Sequence, residues 1–318
     1  MKRLFVATLL VCAFVLSAWQ QPPTSPVKSP PGDPLDEQAR IILDVTRVNV
    51  LFTVSDRRGK FISDLIKDDF QVFEGKKQQN IIDFTAESDL PLRLAILIDT
   101  SNSIRDRFRF QQEAAIDFIR SVMRRGQDKA IVVSFDTLPE LVADLTDDVQ
   151  TLEESIRKLR PGGGTSLYDA IFYACKDKLS QDQPRHKFRR AMIILSDGDD
   201  NQSRWSREQA LEQAHKADVV TYTISTNISR VESDGDKVLK FFSRETGGAP
   251  TFFPFKVEDL AQSFANIANE LRHQYNIFYR PEPLLTDGGY QTVEVRIRNR
   301  TQMVVHARKG YYRPKLKL

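Results

Sequence analysis

Cysteine is nearly missing from this chain. Its 318 residues contain only Cys12 and Cys175, at most one bridge, which excludes a disulfide-stapled scaffold. Histidine is scarce too, with four residues: His186, His215, His273 and His306. No H-E-x-x-H, G-x-S-x-G or paired-cysteine motif occurs, so the common hydrolase signatures are missing. A charge excess of one sign is also lacking, because 46 Lys and Arg stand against 43 Asp and Glu. What is present is a globular composition, 41% hydrophobic and 28% charged. That excludes wholesale disorder and collagen-like or coiled-coil architectures.

One long apolar run exists, at the start. Met1–Trp19 opens with Lys2 and Arg3, then runs apolar from Leu4 to Trp19, broken only by Thr8 and Ser17. A short basic head before such a run reads as a secretory signal peptide. It is short for a spanning helix, which needs about 20 apolar residues; an uncleaved anchor is the alternative. The chain is thus expected to be exported, to a periplasmic, cell-surface or extracellular location. Losing Lys2, Arg3 and Cys12 leaves 44 basic against 43 acidic side chains, and Cys175 alone. Cys175 falls on an apolar helix face with Leu167, Ile171 and Leu179, where a buried, inert thiol is expected.

Residues 20–40 read as a linker, since six of the fifteen prolines lie between Pro22 and Pro34. Such a segment favours extended polyproline II and buries no core. Residues 41–90 then alternate with a period near two, most clearly over Val45–Val54, and residues 275–314 do so again. Short alternating strands of this kind are half-buried. In the first group Asp68–Lys76 reads as a strand running into a turn. Each group is small for an independent core, so the two are expected to pack together as one discontinuous β-sandwich. Residues 315–318 form a basic tail.

Between the groups, residues 91–274 alternate apolar strands with amphipathic helices. Leu94–Ile98 is wholly apolar, and Ala130–Phe135, Ala191–Leu195 and Val219–Ile224 are nearly so. Continuous apolar runs suit strands covered on both faces. Phe108, Ala115, Ile119 and Val122 repeat at helical spacing, as do Leu260, Phe264, Ile267 and Leu271. The pattern predicts an α/β fold, a doubly wound and mostly parallel sheet, inserted into the β-sandwich. In such sheets ligands bind beyond the carboxyl ends of the strands.

Three segments fall at that edge: Asp99-Thr100-Ser101-Asn102-Ser103, Gly162-Gly163-Gly164-Thr165-Ser166, and Ser196-Asp197-Gly198-Asp199-Asp200-Asn201. Singly each reads as a helix cap or an acidic turn. Together they bring two carboxylates, two serine hydroxyls and a threonine hydroxyl to one edge, hard oxygen donors suited to a small divalent cation.

These motifs, in this order, resemble the metal-ion-dependent adhesion site of the von Willebrand factor type A domain. The resemblance spans about Pro91 to Gln274. It implies Asp99, Ser101, Ser103, Thr165 and Asp197 as the metal-site residues, with Asn102 where many members have glycine. The flanks, through Asp68-Asp69-Phe70 and Ala307–Tyr312, also resemble a bacterial subfamily of secreted von Willebrand A-related proteins first recognised in acidobacteria. The expected function is an exported, non-catalytic adhesion module whose Mg²⁺ or Mn²⁺ accepts an Asp or Glu carboxylate from a protein partner. The alternatives are a metal-dependent hydrolase and a structural envelope scaffold with a non-functional site. None of the histidines falls in a loop at the metal edge, which argues against acid-base catalysis. Basic stretches at Arg185–Arg190 and Arg296–Leu318 read as solvated faces. No nucleic-acid partner is expected, and a membrane only through an uncleaved signal.

Overall fold

A computed structural model describes residues 47–315, apart from 58, 87–89, 183–186, 228, 230, 255–256 and 299–301. The signal, the linker and the basic end from residue 316 lie outside the described residues, as does His186.

The central sheet is built from β5 (Leu92–Asp99), β6 (Lys129–Phe135), β8 (Arg189–Ser196) and β9 (Val219–Ser225), all parallel, with β7 (Pro139–Thr146) antiparallel at one edge, in the order β7-β6-β5-β8-β9. Side chains alternate across a strand, and β5 shows why its whole sequence is apolar. Leu92, Leu94, Ile96 and Ile98 pack on one side, against helices α1 (Phe108–Val122) and α6 (Val257–Arg272). Ala95 and Leu97 face the other side, where α3 (Leu167–Tyr173), α4 (Arg207–Lys216) and α5 (Asp234–Thr246) lie. Helix α2 (Val149–Lys158) packs beside α1, burying Leu152 and Ile156 with it. The sheet is therefore doubly wound. Strand β7 was not expected: its half-buried run of alternating character lacks the apolar signature of the covered strands.

Two antiparallel sheets complete the fold. One has the order β12-β1-β10-β4, from β12 (Met303–Ala307), β1 (Val48–Asp56), β10 (Tyr275–Tyr279) and β4 (Ile81–Thr85). The other has the order β13-β11-β2-β3, from β13 (Gly310–Tyr312), β11 (Tyr290–Ile297), β2 (Phe70–Glu74) and β3 (Lys77–Gln79). Strands from both flanks share each sheet, as in the pairing of β1 with β10 and of β2 with β11. Their inner faces meet in one core of Val50, Phe52, Phe70, Val72, Ile277 and Val295, among others. The strand expected over Asp68–Lys76 is shorter. Lys67–Asp69 forms a 3₁₀ turn, in which the Asp69 carboxylate accepts the Ile66 N–H at 2.9 Å, and the strand begins only at Phe70.

Cys175 lies in a π-helical turn, Ala174–Leu179, that continues α3. It is fully buried with Leu167, Ile171 and Leu179, and burial raises its thiol far above the usual range. Among the described residues, no helix is long and apolar enough to cross a membrane.

Candidate metal centre at the carboxyl edge of the sheet

Strand β5 ends on Asp99 and strand β8 on Ser196, adjacent strands in the parallel sheet. Asp99 is completely buried. Its Oδ1 accepts the Ser101 N–H at 2.8 Å and its Oδ2 accepts the Ser196 hydroxyl at 2.6 Å. The hydroxyls of Ser101 and Ser103 lie 2.9 Å apart, Ser101 buried and Ser103 exposed at the surface of the edge. Asp197 follows Ser196, half-buried, near enough for its charge to act on Asp99.

Thr165 comes from the loop that opens α3. This loop is laced to the other two. Gly162 N–H donates to Thr100 O at 2.6 Å, and the Asn102 backbone and side chain both donate to Gly163 O, at 3.3 and 3.1 Å. On the other side, Thr165 N–H donates to Asn201 Oδ1 at 3.0 Å, while Asn201 N–H donates to Thr165 O at 2.9 Å. The three motifs thus form one network along the carboxyl edge.

The electrostatics of that network are unusual. Burial raises the Asp99 carboxyl to about 6; hydrogen bonds from Ser101 and Ser196 counter it, and Asp197 adds to it. Among the described residues neither Asp99 nor Asp197 forms an ion pair with Lys, Arg or His. A buried carboxylate beside a second one, with no cation, is costly as it stands. Two carboxylates and three hydroxyls suit a hard divalent cation that keeps part of its water shell. Among the described residues, no group of three or more His, Cys, Asp or Glu could hold a metal; the donor set here is dominated by hydroxyls.

The neighbouring acids have other tasks. Asp200 Oδ2 accepts the Tyr168 N–H at 3.0 Å, at the start of α3, and the Ser203 hydroxyl at 2.6 Å. Asp169 Oδ1 accepts the backbone N–H groups of Arg204 and Trp205 at 2.9 and 3.0 Å. The described histidines lie elsewhere. His215 is buried on α4 against Gly310 O, His306 is on β12, and His273 falls one residue beyond α6.

Sequence reasoning missed three contributors. Ser196 orients Asp99 and also accepts the Gly198 N–H at 3.0 Å; Asn201 grips Thr165. The third is a glycine contact. Gly198 has a φ of +84°, and a Cβ on Gly235 of α5 would stand 2.2 Å from Asp197 O. Only a bare Cα at 235 lets the Asp197 loop lie on the start of α5. The S-D-G sequence hinted at the first glycine; nothing local marks the second.

Residues 94–199 match the family described as von Willebrand factor type A domain. The chain carries such a domain, and domains of this class generally mediate protein–protein interactions. Among solved structures, the von Willebrand factor type A protein from Catenulispora acidiphila is similar at 13% identity and a TM-score of 0.50, covering 77% of this chain and 76% of that one. The PilB minor pilin from Streptococcus sanguinis is similar at 15% identity and a TM-score of 0.47, over 58% of this chain and 62% of the pilin. The proximal thread matrix protein 1 from the mussel byssus, solved with a zinc-occupied MIDAS motif, is similar at 17% identity and a TM-score of 0.49, over 62% of this chain and 49% of that one. The likeness to the Catenulispora protein is of fold alone. No curated protein matches the chain significantly.

Proposed function

We propose that this protein is an exported, non-catalytic binding module that captures a carboxylate of a protein partner through a divalent cation, Mg²⁺ or Mn²⁺. Asp99, Ser101, Ser103, Thr165 and Asp197 would hold the ion. The observation that carries this reading is the buried Asp99 carboxylate, with no cationic partner at an edge lined by hydroxyls. When bound, the cation supplies a Lewis-acidic site with an open position for an anionic oxygen.

The chain's own residues do the rest. Ser196 and the Ser101 N–H fix both oxygens of Asp99, so its carboxylate is oriented before any ion arrives. Asn201 fixes the backbone of Thr165. Hydroxyl donors add no negative charge, which leaves the ion electrophilic toward a carboxylate from outside. Among the described residues no histidine lies at this edge, and the carboxylates of Asp169 and Asp200 are occupied by backbone and hydroxyl donors. Binding, not turnover, fits that inventory.

Around this function we propose a layout of signal (1–19), linker (20–40), von Willebrand A domain (91–274) and a β-sandwich split between 41–90 and 275–314. A pull-down from the native cell envelope, with and without a chelator, tests the reading. A stoichiometric protein partner lost on chelation is the expected result. Retention of every partner in chelator contradicts it.

A further inference from the structure

A cavity of about 630 Å³ opens between helix α5 and strand β12, and none of the five site residues lines it. One wall is a single helical stripe of α5: Lys237, Lys240, Phe241 and Arg244. The other wall is Val304, Val305, His306 and Ala307. Side chains alternate along a strand, so four consecutive residues line one cavity only where the cavity follows the strand's edge. The sheet order confirms an edge: β12 is terminal, and among the described residues it pairs only with β1. An edge strand leaves a row of N–H and C=O groups able to pair with another strand.

The two walls are joined at their carboxyl ends. Lys309 N–H donates to Glu245 O at 3.0 Å, and Gly247, the C-cap of α5, packs on the backbone of Ala307 and Arg308. The cleft runs from that junction along the edge of β12. Its apolar surface includes Phe241 and Val304, the latter 42% exposed. Burial, then the nearby Lys309, holds the His306 imidazole below its usual range.

Five cations line the rim, Arg207, Lys237, Lys240, Arg244 and Lys309, and four of them are paired with carboxylates. Lys237, Lys240, Arg244 and Arg207 pair with Asp234, Glu232, Glu245 and Glu208 at 2.7–2.9 Å. These are surface pairs, each worth little to stability. Lys309 forms no ion pair among the described residues.

We propose that this groove receives an extended segment of a partner protein, which adds as a strand to the free edge of β12 and alternates apolar side chains with carboxylates. The backbone edge selects a peptide over an acyl chain, because only a peptide can complete the ladder. Lys309, which has no ion pair among the described residues, and the weak surface pairs beside it favour carboxylates over amines on that segment. About four residues, 13 Å at 3.3 Å each, match the available edge.

The test uses the full chain in chelator, so that the carboxyl edge of the central sheet does not compete for the same carboxylates. The probes are an eight-residue synthetic peptide alternating Glu and Val, its Lys–Val counterpart, and laurate. Binding is read by fluorescence anisotropy, and amide exchange is read over residues 303–306. The proposal predicts that the Glu–Val peptide binds, slows exchange at 303–306, and loses at least tenfold in affinity with Val304→Lys or Lys240→Glu. Both positions are exposed, and unchanged melting of each variant shows the fold intact. The proposal is overturned by no binding at 1 mM, by equal binding of the Lys–Val peptide, or by binding that leaves exchange at 303–306 and both variants unaffected. Laurate displacing the peptide without protecting those amides would assign the groove to a lipid and overturn it as well.

Discussion

Asp99 carries most of the physics of the candidate centre, because it is the only one of its two carboxylates that is fully buried. Its partner Ser196 is an orienting group with no access to solvent. Such supporting hydrogen bonds typically control metal affinity by about 10–100-fold. Ser196→Ala should therefore weaken Mn²⁺ binding by about that factor while leaving the melting temperature within a few degrees; unchanged affinity would remove Ser196 from the account. A second buried acid makes a separate prediction. Glu270 on α6 is fully buried, and its Oε1 accepts the Thr53 hydroxyl of β1 at 2.8 Å. Burial raises its carboxyl to about 8, against hydrogen bonds from Thr53 and the Ala249 backbone. Between its ordinary 4.5 and about 8, the folded protein holds a proton that the unfolded chain has released. Its stabilising contribution is thus complete below pH 4.5 and is lost as pH rises through 8, at about 1.4 kcal/mol per pH unit. Glu270→Gln should flatten that slope in denaturant titrations; superimposable pH profiles would contradict it. The motif residues were legible because Asp, Ser and Thr at strand ends are read directly. Ser196, Asn201 and Glu270 were not, since a burial partner far along the chain leaves no local mark.

At the scale of elements, continuous apolar runs located β5, β6, β8 and β9, because a strand covered on both faces needs apolar side chains at every position. Strand β7 has one covered face and an edge, and its run Pro139–Thr146 mixes charges with aliphatics. Asp69 bonds back to Ile66 and turns the start of an expected strand into a 3₁₀ turn. Local side-chain bonds of this kind compete with strand pairing. The approach of the Asp197 loop to α5 is likewise a tertiary fact. Gly235→Ala puts a methyl 2.2 Å from Asp197 O, so either α5 or the loop must move. Crowding of this kind typically costs about 1–3 kcal/mol. The variant should melt lower and bind Mn²⁺ more weakly, whereas Lys237→Ala two residues on, exposed on the same helix, should do neither. Equal metal affinity in wild type and Gly235→Ala would show that this contact does not position Asp197.

Across the whole molecule, specific bonds fix the helix that leads into the antiparallel core and tie that core to the parallel sheet. Arg272, the last residue of α6, donates to Val122 O at 2.6 Å and pairs with the buried Asp128 at 2.8 Å. Two residues later the chain enters β10 and the antiparallel core. Arg308, between β12 and β13, pairs with Asp218 ahead of β9 at 2.6 Å. The α/β class and the insertion between two strand groups were legible from the switch of period along the chain. These bonds were not, because each joins residues distant in sequence. The central claim concerns the carboxyl edge, and titration calorimetry with Mg²⁺ and Mn²⁺ tests it most directly. The account predicts saturable one-site binding by the wild-type chain and none by Asp99→Ala, with both proteins folded. Equal heats from the two proteins, or no binding by either, would contradict it.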